Sequence, residues 1–152
     1  MIKLIGIVVL LGLAGLMLFV RVSPNAPADW HEDPALVQKP SKPNAHLIRL
    51  VGGDEIAPIY ALTPEALAER IDQIAREDGA ELLAGSVADG HMTYISRSTL
   101  MGFPDFTSVK VSRAGDGATF SAFARARFGQ SDMGVNRARL TRWLAALEDM
   151  VD

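Results

Sequence analysis

Phe120–Leu147, FSAFARARFGQSDMGVNRARLTRWLAAL, changes its apolar period part-way along, and that change decides the fold. Phe120, Ala122, Ala124, Ala126 and Phe128 share one face of an extended chain, while Ser121, Phe123, Arg125 and Arg127 share the other. The first face is small and apolar, suited to close packing under a helix; the second is mixed and basic. Gly129 breaks the strand. Ser131 and Asp132 then offer oxygens where the first N–H groups of a helix lack partners, which predicts a helix from near Asp132, with Ser131 as a cap. Leu140, Leu144, Leu147 and Val151 draw its apolar stripe, Trp143 and Met150 widen it, and Arg137, Arg139 and Arg142 fall on its flanks.

Upstream, His46–Val51 reads as a short strand ended by Gly52-Gly53. Thr63 caps a helix with Pro64 at its first position, Leu67, Ile71 and Ile74 on its buried line, and Gly79 at its stop. Glu81–Ala88 and His91–Ser98 flank the turn Asp89-Gly90, and Phe106–Arg113 and Ala118–Phe128 flank a second turn, Ala114–Gly117. The order predicts an α+β domain: an antiparallel sheet of about four to five strands with two helices on one face. The apolar connection Thr99–Phe106 must pack on something, either closing a sheet edge or forming the rim of a pocket.

Leu4–Val20 is an unbroken run of 17 apolar or glycine residues between Lys3 and Arg21. As a helix it nearly spans the roughly 30 Å hydrocarbon core of a bilayer. A retained anchor over 1–22 is favoured over a signal peptide cleaved after Ala26-Pro27-Ala28, because the run is long and Arg21 interrupts the approach to that site. Residues 23–44 hold five of the eight prolines once Val22 is passed, and read as an extended linker before a domain over 45–152. Trp30 is its exception, suited either to docking on the domain or to the bilayer interface, with the neighbouring acids favouring docking.

Without residues 1–21, 13 basic and 18 acidic residues remain, too acidic a balance for general nucleic-acid binding. The absence of cysteine excludes disulfides, thiolate metal sites and a cysteine nucleophile. His31, His46 and His91 show no metal-ligand spacing, and nothing in the sequence calls for a cofactor.

Thr93–Ser98, Gly102-Phe103-Pro104-Asp105-Phe106 and the run R-x-G-x-S-D-x-G-x-N-R-x-R from Arg127 to Arg139 resemble the family called domain of unknown function 1499, over about residues 43–148. The resemblance implies a small exported or membrane-anchored domain, in some members of the thylakoid lumen, and it implies no activity. It also implies cysteine where Ala45 stands in many members and serines where Ala124 and Ala126 stand, so a mechanism needing that cysteine has no counterpart here.

These features lead to an expectation of a single-pass inner-membrane protein with a periplasmic C-terminal domain. Its role is expected to be non-catalytic, as a binding or envelope-assembly module whose partner is an envelope protein or an anionic small molecule or lipid head group. Arg97, Arg125 and Arg127, with Ser131, Asp132, Asn136 and Arg137 at the final helix, are the candidate ligand-binding residues, because guanidinium forks and a helix N-terminus both suit anions. Internal pairing with Asp105, Asp116 or Asp132 is the competing role for those arginines. The catalytic alternative is a hydrolase with Ser131 or Ser96 as nucleophile, which requires a base within hydrogen-bond reach.

Overall fold

The computed structural model describes residues 1–151. Three α-helices flank a five-stranded antiparallel sheet: α1 (Ile2–Val22), β1 (Ala45–Ile48), α2 (Pro64–Glu77), β2 (Glu81–Ser86), β3 (His91–Arg97), β4 (Pro104–Ala114), β5 (Gly117–Ala126) and α3 (Val135–Val151). The strand order is β1-β5-β4-β3-β2, so β5 lies inside the sheet with β1 as its outer neighbour. A short 3-10 turn at Pro27–Asp29, which no period announces, adds to the expected helices.

The alternation in β5 sorts the sheet's two faces. Ala122 and Ala124 stand opposite Val109 and Thr107 of β4, and with Phe120, Met92 and Tyr94 they meet Leu67, Ile71 and Ile74 of α2 and Leu140, Trp143 and Leu147 of α3. Alanines here let α3 approach the sheet, where larger side chains would hold it off. Asp78, at the end of α2, ties the helices together by accepting from Arg142 and from the Trp143 indole, both at 3.0 Å. Thr63 caps α2 by accepting from the Ala66 N–H at 3.2 Å, as its sequence predicts.

Three boundaries move for identifiable reasons. The final helix begins at Val135 rather than near Asp132, because Met133 and Gly134 both take positive φ, 52° and 81°, and so form a turn before it. β1 ends at Ile48 instead of Val51, because the chain doubles back and the Asp54 N–H and carboxylate bond Leu47 at 2.7 and 2.8 Å. The hairpin between β2 and β3 turns through Val87–Gly90, two residues longer than the Asp89-Gly90 pair.

The proline-rich stretch is not a free spacer. Residues 30–37 lie across the sheet face opposite the helices, where the Trp30 ring stacks on Phe106 with centroids 3.8 Å apart. Arg49 fixes the far end by donating to the Ala35 and Val37 carbonyls. This strap gives the sheet a second covered face, so apolar residues such as Leu47, Phe106 and Phe123 are buried on that side. α1 runs into the strap; it is long and apolar enough to cross a membrane, and its last turn meets the domain through Val20, which is buried.

Candidate functional site

Antiparallel pairing brings the end of β3, the start of β4 and the end of β5 together, with the turn before α3 beside them. These segments surround a cleft of about 320 Å³ lined by Ser98, Phe103, Asp105, Ala126, Phe128, Gly129, Ser131, Asp132, Met133 and Val135. Its size falls within the roughly 300–1,000 Å³ of small-molecule sites, and its walls are mostly apolar with convergent polar groups, as such sites usually are. Phe103 and Phe128 form one wall, with centroids 6.0 Å apart, and Phe19 of α1 meets Phe128 edge-on at 6.4 Å. The connection Thr99–Phe106 thus supplies a pocket rim. Met133 and Leu100, on the two flanking loops, are 94% and 79% exposed.

The polar end of the cleft is held from below. Asp132 accepts from the Gly134 and Asn136 N–H groups at 3.0 and 2.9 Å and from the Asn136 amide at 2.8 Å. Burial opposes ionisation there, but these hydrogen bonds outweigh it and hold the Asp132 pKa below the ordinary value. Asn136 also accepts from Arg139 at 2.7 Å, and Arg139 reaches Asp105 at 3.4 Å. Asp105 goes the other way: burial raises its pKa more than the Arg139 charge lowers it, and the Asp132 charge adds to the rise.

Two predictions follow directly. Because a raised carboxyl pKa removes stability as pH rises through it, the stability of Asp105→Asn relative to the parent should shift in the variant's favour as pH rises above the unfolded carboxyl's pKa, on top of a pH-independent cost for leaving the buried Arg139 without its partner. Urea midpoints across pH test this. Ser131 accepts only the Met133 N–H, at 3.2 Å, so the expectation that Ser131 caps the helix gives way to Asp132. Asp132→Ala should cost about 1–2 kcal/mol and Ser131→Ala a few tenths, measured by the same denaturation curves.

The candidate arginines do not converge on this space. Arg97 donates to the Gly102 carbonyl at 3.1 Å, and Arg127 to the Pro24 carbonyl at 2.9 Å and to the Asn25 side chain. Arg125 is buried under the strap, donating to the Trp30 carbonyl at 2.6 Å and to Ser108 at 3.2 Å, with Glu32 at 3.3 Å. Burial lowers its pKa to about 10, partly offset by Glu32, so it stays charged at neutral pH. Arg137 lies on the exposed flank of α3, 3.8 Å from Glu55. Ser131 and Asp132 do line the cleft, while Asn136 is fully buried behind it, bonded to Asp132. Phe103, Phe128, Asp105 and Arg139 belong with them although sequence reading put none of the four among the candidates; the signal was the apolar Gly102–Phe106 connection beside the second arginine of R-x-R.

Ser96 is buried on the helix-facing side of β3, and its hydroxyl has no partner. His91 begins the same strand on the opposite face, where it donates to the Glu32 carbonyl at 3.1 Å. His31 and His46 bond Thr93 and Glu55. No group of three or more His, Asp or Glu suited to a metal ion occurs among the described residues.

The motif residues that surround the cleft are those that carry the family likeness, and the family model for a protein of unknown function, DUF1499, matches residues 29–147. The chain belongs to that family. The DUF1499 span starts at Asp29, well before the residue 43 expected from the motifs, and so takes in the strap with Trp30 as part of the domain. No curated protein matches the chain.

Proposed function

We propose that this DUF1499 chain is a membrane-anchored, non-catalytic binding module whose cleft receives the apolar part of a lipid-like amphiphile at the bilayer surface. The carrying observation is the contact between Phe19, near the end of the apolar helix, and Phe128, on the cleft wall. With α1 in a bilayer, that contact sets the Phe103–Phe128 wall at the depth where hydrocarbon gives way to head groups. The exposed side chains Met133 and Leu100 suit the same apolar boundary. At the other end, Asp105, Asp132, Ser98 and Ser131 favour a neutral or cationic head with donors over an anionic one, and Arg97, Arg125 and Arg127, which would draw an anion, already donate to protein oxygens. A cytoplasmic N-terminal side and a periplasmic domain fit the basic Lys3 ahead of the apolar run Leu4–Val20.

Native mass spectrometry of the full chain released from membranes tests this reading. The parent should carry one stoichiometric lipid, and Ala126→Trp, which fills the cleft, should lose it while keeping its fold by circular dichroism. Equal lipid retention by both chains would refute the proposal.

A second reading, docking to an envelope protein, rests on a different surface. Leu50, Val51, Ile56 and Ile59 are all exposed on the connection between β1 and α2. Replacement of Val51 and Ile56 by Asp should abolish a specific cross-linked protein adduct if that connection docks, and leave it unchanged if it does not.

A further inference from the structure

The strap crosses the sheet on a one-way chain of hydrogen bonds. The Thr93 hydroxyl donates to Ser108 at 3.1 Å, and the Ser108 hydroxyl donates to the Trp30 carbonyl at 2.9 Å. Thr93 is therefore left to accept from His31 Nδ1 at 2.8 Å, which leaves His31 Nε2 as the nitrogen that takes up a further proton. The His31 ring stacks on His91 with centroids 3.9 Å apart, and His91 Nε2 donates to the Glu32 carbonyl. Gly85, just past the irregularity between Leu82 and Ala84 in β2, clears the ring's path: a side chain there would begin 2.8 Å from His31 Cε1 and 1.9 Å from the His91 carbonyl oxygen.

We propose that His31, stacked on His91, makes the strap an acid-released latch: protonation of His31 undocks Trp30–Glu32 from the sheet face. The idea does not depend on what the cleft binds. A charge on His31 is opposed by His91, and the charges facing it from neighbouring elements are unevenly matched. Lys110 of β4 adds to the repulsion, Arg125 of β5 is a further cation under the strap, Asp89 of the β2–β3 turn opposes it, and Glu32 is engaged with Arg125. Burial, then His91 and Lys110, lower the His31 pKa from its ordinary 6.5, with Asp89 pulling the other way. A group held below its free pKa stabilises docking fully above that free value and progressively less as pH falls through it, so acid weakens the latch.

The test is cleavage after Glu32 by a glutamate-specific endoproteinase, on the full chain in lipid nanodiscs from about pH 8 down to about pH 5, normalised to a free peptide of the strap sequence. The latch requires cleavage to rise several-fold with acid while far-UV circular dichroism stays constant. It requires the rise to vanish in the double variant His31→Phe, His91→Phe, whose rings still stack. Lys110→Met must shrink the acid rise, because it removes a cation that holds the His31 pKa down, and this carries the test if the double variant does not fold. Slow cleavage throughout, an acid rise that survives in the double variant, an undiminished rise in Lys110→Met, or acid loss of secondary structure would each overturn the proposal.

Discussion

Trp30→Ala should lower the domain's stability by about 3 kcal/mol, equivalent to a fall of about 10 °C in melting temperature. The ring covers Phe106 and lies 5.4 Å from the Arg125 guanidinium, which also sits 4.7 Å from the Phe123 ring. Removing the indole forfeits the stacking and the cation–π contact, and it admits water to a sheet face that is otherwise dry. The Trp30 carbonyl remains as acceptor for Arg125 and Ser108, so the loss measures the side chain alone. Were the segment a solvated tether, the same substitution would shift the unfolding midpoint by less than about 0.5 kcal/mol.

Arg139→Ala should cost about 3–5 kcal/mol, the range for removing one partner of a buried ion pair. The side chains of Arg139 and Asp105 are only 8% and 14% exposed, and truncation leaves Asp105 facing Asp132 with no cation between them. Asn136 loses its donor as well. Adding Asp105→Asn in that background should restore part of the loss, since the unpaired charge is then gone. Denaturation of the two single variants and the double measures the coupling, and simple additivity would contradict the pairing.

The parts of this fold that were legible are the local ones. Alternation in β5 separates Ala122 and Ala124 from Phe123 and Arg125, and the structure keeps that division to the atom level: alanines under helices, phenylalanine and arginine under the strap. Thr63-Pro64-Glu65 marks the start of α2 by cap chemistry alone. The strap was hidden because no period runs through Pro24–Pro43, and because the Trp30 carbonyl meets an arginine 95 positions away. Its acids and its lone tryptophan were the visible hint of docking.

The cleft was legible only in pieces. Its walls come from two stretches of chain, residues 98–105 and 126–135, that join at one end of the sheet, a juxtaposition that needs the strand order. Arg139 sits on a polar flank by helical period, yet it is buried because Asp105 rises to meet it from β4. Arginines that promised a shared anion site are separated by the faces and loops they serve, each donating to a different backbone carbonyl. Spacing in sequence gives the face of a strand, and only tertiary packing gives the partner.

Lipid access to the cleft is the claim that most needs a direct measurement. With the full chain in nanodiscs, a tryptophan introduced as Phe128→Trp reports contact with lipids brominated along their acyl chains. The account predicts that these lipids quench its emission strongly, and that Ala126→Trp, which fills the cleft, removes the bound lipid seen in the parent. Emission from position 128 that is as strong in brominated as in ordinary lipid would contradict it.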